Sequence, residues 1–373
     1  MAASLAVTGL GLAVNTLGAS SYAIVDLGDL GGQYSQARGI NEQGQVVGES
    51  LLPVAGIVQH AFSWQAGGGI SDLGTLGGQN SRAVDINRSG TIVGWAQDVA
   101  GFVRPALWSG STVTELSTLG GSSGAAWGLN NVGLAVGNSE LSAGEYHATL
   151  WDASGAKDLG TLGGSYSIAY DINDGGSVVG TAYDAAGRER ASLWDSAMPV
   201  DLGGLSGGQW TAARSINDVG QIILWGKPLG ATANHAVFWS GDAGSPVIDL
   251  GTFGGAESWA YGMNDQGFVV GWAGEADGTY HAFVWDGTAM TDLGTLGGPF
   301  SSAYGINDQG TIVGWAQDGG GITHAIAWVV VPEPSRVLLL MGGMFGLYVM
   351  RRRQRSTRNQ SVPATEAQKL EVE

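Results

Sequence analysis

One pattern is written seven times between Tyr22 and Trp328, and a tandem repeat of this length leaves few folds open to the chain. Each copy runs through Asp-Leu-Gly, Leu-Gly-Gly, Ser-x-Ala-x-x-Ile-Asn-Asp-x-Gly, Val-Val-Gly and His-Ala-x-x-Trp, with substitutions from copy to copy. The turn asparagine stands at Asn41, Asn87, Asn130, Asn173, Asn217, Asn264 and Asn307. The closing aromatic stands at Trp64, Trp108, Trp151, Trp194, Trp239, Trp285 and Trp328, and both series advance by 43 to 47 residues. Units of this length with several short strands are the signature of β-propeller blades. The sequence therefore predicts an all-β, seven-bladed β-propeller over residues 22–331.

Short strands alternate with turn signals, and no sustained 3.6-residue apolar period appears before residue 337. Asn-Asp-x-Gly, as at Asn307 to Gly310, suits a tight hairpin, with Asn accepting hydrogen bonds at the first position and Gly closing the turn at the fourth. A small residue recurs before the turn, at Ala37, Ala83, Ala126, Ala169, Ala213, Ala260 and Ala303, which predicts tight packing near a crowded axis. The body enters on an Asp-Leu-Gly strand, Ala23 to Leu27, and leaves on a Trp strand, Ala325 to Val330. The last blade then lacks its fourth strand, and pairing the two ends closes the ring and removes exposed edges. A β-solenoid is the rival, with shorter units and a need for capping repeats.

The 65 glycines of this 373-residue chain recur at fixed places in the repeat, as turn chemistry rather than linker. Cysteine is absent, which excludes disulfides, thiolate metal sites and a thiol nucleophile. Residues 22–331 carry 29 acidic and 9 basic side chains, whereas 332–373 carry 7 basic and 4 acidic. So acidic a body repels nucleic acid and anionic lipid, and neither is expected as its partner.

Both ends read as addresses. Residues 1–21 hold an apolar stretch, Leu5 to Val14, and a small-residue run ending at Ser21, the layout of a signal peptide without its charged n-region. A ragged first strand is the alternative. At the other end Pro332-Glu333-Pro334 precedes an apolar run, Val337 to Met350, and then Arg351, Arg352 and Arg353. Fourteen apolar residues are short of the ~20 a bilayer takes, although Arg336 and Arg351 can snorkel. Arginines after the run hold that end in the cytoplasm and leave the body outside.

This ordered set resembles the PEP-CTERM sorting signal of Gram-negative bacteria. The resemblance implies a sorting segment over 332–355 with a helix at 337–350, and an exosortase-type membrane protease as partner. It also implies an inner-membrane-anchored precursor, then a place at the cell surface or in an exopolysaccharide matrix. The polar tail, 356–373, departs from the family, which stops soon after its arginines. An ordinary tail anchor predicts the same outward topology.

All five histidines, His60, His147, His235, His281 and His324, share one repeat position, which Arg104 and Arg190 fill in the other two copies. With Ala-Phe following His60 and His281, the body resembles the HAF-repeat family of extracellular bacterial proteins, which implies no established reaction. One His per blade spreads equivalent side chains around a ring, and Arg is no ligand at neutral pH, so no metal is expected there. Their shared ability to donate predicts a structural bond to the repeated acid, Asp26, Asp72, Glu115, Asp158, Asp201, Asp249 or Asp292. Calcium at one or two Asn-Asp-x-Gly turns is an alternative that Arg88 opposes in its copy. No cofactor is otherwise expected.

No catalytic motif appears, neither Gly-x-Ser-x-Gly, nor His-Glu-x-x-His, nor a phosphate loop. Irregular copies point to loops as binding sites, Leu51 to Val58 in repeat one and Ser240 to Val247 in repeat five. Trp95, Trp225, Trp272 and Trp315 follow the second strand and suit either packing or a sugar face. The expectation is an exported, non-enzymatic scaffold with an extracellular polysaccharide as its ligand. The alternative is a secreted enzyme acting on polysaccharide.

Overall fold

The structure, a computed structural model, describes residues 14–15, 21–195, 199–242 and 244–331. Most of the signal-peptide segment and the whole sorting segment, with Pro332, Glu333, Pro334, Arg351, Arg352 and Arg353, lie outside the described residues. Among the described residues, no helix is long and apolar enough to cross a membrane.

Each repeat folds as an antiparallel hairpin series, because its apolar positions alternate and its glycines permit the turns. In the sheet that carries Asn173 the strands are Gly163–Ile172, Val178–Asp184 and Glu189–Trp194 of the fourth copy and Val200–Asp201 from the start of the fifth. At the first hairpin Gly176 takes φ 88°, a left-handed turn that favours glycine, and its N–H donates to Asn173 O at 3.0 Å. Five such four-stranded sheets stand apart, and a nine-stranded sheet holds two more groups of four. Those two are joined only by a parallel pairing of Tyr280 with Phe300, and the ninth strand is Val14–Asn15. One group is assembled from both ends of the body: Ser21–Gly28 pairs antiparallel with Thr323–Val331, Ile24 facing Trp328. This is the closure that the strand order requires.

The core lies between neighbouring sheets and is stitched there by polar tips. Trp108 is fully buried, and its Nε1 donates to Leu73 O of the preceding sheet at 3.0 Å. Trp194 and Trp328 do the same to Leu159 O and Leu293 O, at 3.0 and 2.8 Å. Each indole thus combines a large apolar burial with a satisfied donor. Ser81 donates to Gly74 O at 2.6 Å and accepts Ala61 N–H at 2.8 Å, again from the preceding sheet. The repeated alanine, contrary to expectation, faces the neighbouring sheet: Ala83 packs with Val47, Ala61 and Leu73. Its flanking residues line the axis instead.

The turn asparagines do more than turn chemistry asks. Asn87 Oδ1 accepts the N–H groups of Ser89 and Thr91 at 3.1 and 3.0 Å, which fixes its own hairpin. Its Nδ2 donates to the main-chain oxygen of Asn130 at 3.2 Å. The same bond runs from Asn41 to Asn87, Asn130 to Asn173, Asn173 to Asn217, Asn217 to Asn264 and Asn264 to Asn307. From Asn307 it returns to Asn41 at 3.1 Å, so the circuit is closed. Every asparagine in it is buried, which a side chain with all its polar atoms engaged can tolerate.

Candidate functional site: the axial channel

The first strands of the repeats surround a channel of about 600 Å³. Each of these strands is bulged just after the repeated alanine, and six of the seven shift register at one further place nearer their start. Pairing with the second strand skips a residue between Ala37 and Gly39, Ala83 and Asp85, Ala126 and Gly128, and Ala169 and Asp171. It skips again between Ala213 and Ser215, Ala260 and Gly262, and Ala303 and Gly305. A bulge leaves its extra residue outside the ladder and re-aims the side chain. The skipped residues are Arg38, Val84, Trp127, Tyr170, Arg214, Tyr261 and Tyr304, and all of them line the channel. Sequence reasoning misses them; their one signal is a large aromatic or Arg at an unconstrained position beside a fixed alanine.

These side chains build an aromatic and cationic surface. The Arg38 guanidinium lies 4.3 Å from the Tyr304 ring centre and that of Arg214 4.2 Å from Tyr170. Tyr261 meets Tyr304 edge-on at 4.8 Å, and Trp259 stacks beside Tyr261 at 6.2 Å. Trp225 and Trp272 extend this face against Trp259, at 3.7 and 6.4 Å, and both are partly exposed. Trp315 is buried instead, with its Nε1 donating to Tyr304 Oη at 3.1 Å, and Trp95 lies under Arg82. Arg38 is also held by the buried Glu49 carboxylate, 2.6 Å from its Nη2.

The opposite end of the first strands carries an acidic layer at the position after the asparagine, made by Glu42, Asp174, Asp218, Asp265 and Asp308, with Arg88 and Asn131 in the other two repeats. Main-chain N–H groups donate to it in relay: Asn131 to Asp174, Asp174 to Asp218, Asp218 to Asp265, Asp265 to Asp308 and Asp308 to Glu42, at 2.7 to 3.1 Å. These turn carboxylates thereby serve as acceptors between repeats. Burial first, then Asp265 and Asp174, push the Asp218 carboxyl upward.

Between the two ends Asp85 and Asp171 stand where other repeats have Gly39, Gly128, Gly262 or Gly305. Asp85 accepts N–H from Ile86 and from Leu129 of the next repeat, both at 2.8 Å. Asp171 accepts from Ile172 N–H, and from Ser215 Oγ and Ile216 N–H across the repeat boundary. Loss of bulk solvation outweighs these bonds and raises Asp85 to about 6 and Asp171 to about 7.

The repeated His and Arg residues lie away from the channel, each on the acid of its own sheet. His60 meets Asp72 at 2.8 Å, His147 Asp158 at 2.9 Å, His235 Asp249 at 2.9 Å and His281 Asp292 at 3.0 Å. His324 meets Asp26 at 3.2 Å, Arg190 Asp201 at 3.0 Å and Arg104 Glu115 at 3.7 Å. They are half-buried rather than buried. Glu275 joins His281 and Asp292 closely enough to hold a metal ion. Arg104 stands in the same way between Asp98 and Glu115, so the arrangement is two carboxylates about a cationic side chain. The hydrogen bond to Asp292, chiefly, raises the His281 pKa. Among the described residues, neither the Leu51 to Val58 loop nor the Ser240 to Val247 loop lines the channel.

No protein-family model matches the chain, and no curated protein matches it. Among solved structures it is similar to an acylaminoacyl peptidase from Pyrococcus horikoshii, at 12% identity and a TM-score of 0.50 over 78% of this chain. The chain spans half the length of that peptidase. Weaker likenesses are a Xanthomonas campestris gluconolactonase (TM-score 0.39, 11% identity, 83% of this chain and 90% of that one) and an Aleuria aurantia lectin (TM-score 0.33, 14% identity, 66% and 93%). The fold is a repeat β-propeller. At these identities the likeness carries the fold alone.

Proposed function

We propose that the protein is a seven-bladed propeller acting outside the cell as a non-enzymatic scaffold that binds an extracellular polysaccharide at the aromatic end of its channel. The blade count is supported by the asparagine circuit, which returns to Asn41 after seven steps. The observation that carries the binding reading is that a bulge in each first strand aims its extra side chain into the channel, and that six of those seven are Arg, Trp or Tyr. Aromatic faces match the apolar faces of sugar rings, and guanidinium groups supply donors beside them. The acidic remainder of the body disfavours nucleic acid as the occupant.

The non-enzymatic part is supported by the state of Asp85 and Asp171, whose oxygens are all engaged, Oδ1 within its own strand and Oδ2 across the repeat boundary. Their raised pKa values favour the second reading, a polysaccharide-acting enzyme, because carboxyl groups that titrate near neutrality can serve as acids or bases. A panel of oligosaccharides, screened for binding and for released product, separates the two. Retention without product is the expected result, and turnover lost in Asp171→Asn overturns it.

Export and sorting rest on the sequence at the two ends, with the exosortase-type protease as the partner for residues 332–355. Mass spectrometry of the mature protein from its native host tests this. A C-terminus upstream of Val337 is expected, and intact chain ending at Glu373 in the membrane fraction favours the plain anchor.

A further inference from the structure

The body holds only 9 basic residues against 29 acidic, yet Arg38, Arg82, Arg88 and Arg214 all line the one channel. Arg88 sits in the acidic layer, and the other three belong to the aromatic end. Arg38 is spoken for by Glu49. Arg82 also approaches that carboxylate, at 3.3 Å, but its buried Nε–H has no hydrogen-bond partner. Arg214 makes no ion pair and no side-chain hydrogen bond among the described residues. Its guanidinium is instead packed by rings, with Tyr170, Tyr261 and Trp259 centred 4.2, 5.7 and 5.9 Å away.

An arginine confined by three aromatic faces keeps its charge and loses little freedom when its donors are used. Its charge reaches the Glu189 carboxylate but is ion-paired with no acid among the described residues, so in a protein of net charge −17 it is a fixed positive point with donors to spare. The nearby aromatic side chains offer faces to sugar rings, and the five-donor fork of Arg matches a carboxylate. The acidic layer at the other end repels an anionic chain, so such a ligand is admitted from the aromatic end only.

Resting on the saccharide-binding reading above, we infer that the channel selects an acidic saccharide, a uronate-bearing chain whose ring stacks at Trp259 and whose carboxylate is bound by Arg214. The selection is electrostatic and forked, while the affinity for the ring is shared with neutral sugars.

Calorimetry with tetragalacturonate and with its fully methyl-esterified form provides the test, since esterification removes the charge of each carboxyl group and adds only a methyl. The free acid should bind the wild-type protein about ten-fold or more tightly than the ester, the usual worth of a charged hydrogen-bonded pair. Arg214→Gln should bring the two within about two-fold of each other, and Arg214→Lys should fall between because it keeps charge without the fork. Trp259→Ala should weaken both. Equal binding of acid and ester overturns the selection for charge while leaving saccharide binding intact, and a preference that survives Arg214→Gln overturns the role of Arg214. Binding of neither form overturns the saccharide reading together with this one. Should the Arg214 variants unfold, the comparison of acid and ester on the wild-type chain still decides the selection.

Discussion

Asn307 donates from its Nδ2 to the main-chain oxygen of Asn41, 3.1 Å away and 266 residues earlier in sequence. The bond is the last of a circuit that begins and ends in the same turn, and it lies beside the strand clasp of Ser21–Gly28 with Thr323–Val331. Replacing Asn307 by Ala leaves that oxygen and the Thr311 N–H without their side-chain partner in a buried setting. The expected cost is about 1–3 kcal/mol, seen as a lowered thermal midpoint. Scanning fluorimetry checks it, and an unchanged midpoint shows the circuit to be incidental.

Removing residues 22–32 takes away the outer partner of the Trp328 strand. Hydrogen exchange should then quicken over residues 301–330 more than in the neighbouring sheets, because an edge is exposed and the clasp released. Quickened exchange confined to residues 35–74 contradicts the shared sheet.

Asp85 and Asp171 give the fold a pH dependence of unusual sign. Their folded values, about 6 and about 7, lie above the ordinary 3.8, so the unfolded chain gives up these protons first. The stability they allow is therefore greatest below about pH 4 and falls as the pH climbs towards 7, on the order of 3 kcal/mol per group. Asp171→Asn removes the ionisable group, and should gain stability over the wild type at about pH 8 and much less at about pH 4.5. Denaturant unfolding at the two pH values measures this; a gain of equal size at both contradicts the assignment.

His281 carries the opposite sign. Its pKa is raised by Asp292, so its contribution is present below the ordinary value of 6.5 and is lost as the pH rises through the raised one. His281→Ala should therefore destabilise more at about pH 5.5 than at about pH 8.5. His281→Arg should be tolerated at both, as Arg104 and Arg190 fill the same place on their acids. Stoichiometric zinc held by the wild type and lost in His281→Ala contradicts the structural role.

The repeat is legible in the sequence because packing demands the same residue at the same place in each copy. Asn, Gly, Trp, the acid and its His or Arg all fall in this class, and their pairing follows from what each can donate or accept. The channel is not legible in that way. Arg38, Trp127, Tyr170, Arg214, Tyr261 and Tyr304 share a position on which packing places no demand, so they read as noise until the bulge turns them inward. The length differences in repeats one and five, more visible in sequence, belong to loops outside the channel. The circuit of amides was also hidden, since a turn asparagine has reason enough to be there without it.

A saccharide bound at the channel, and not at the loops, is the arrangement most directly open to measurement. Tryptophan emission followed during titration with tetragalacturonate, on the wild type and two variants, measures this. One variant is the double replacement Tyr261→Ala with Tyr304→Ala at the channel, and the other deletes residues 53–57 from the loop of repeat one. The account predicts that the loop deletion binds as the wild type does and that the channel variant loses about ten-fold or more in affinity, as removal of stacked aromatic anchors does. Full affinity in the channel variant, with loss in the loop deletion, would contradict it.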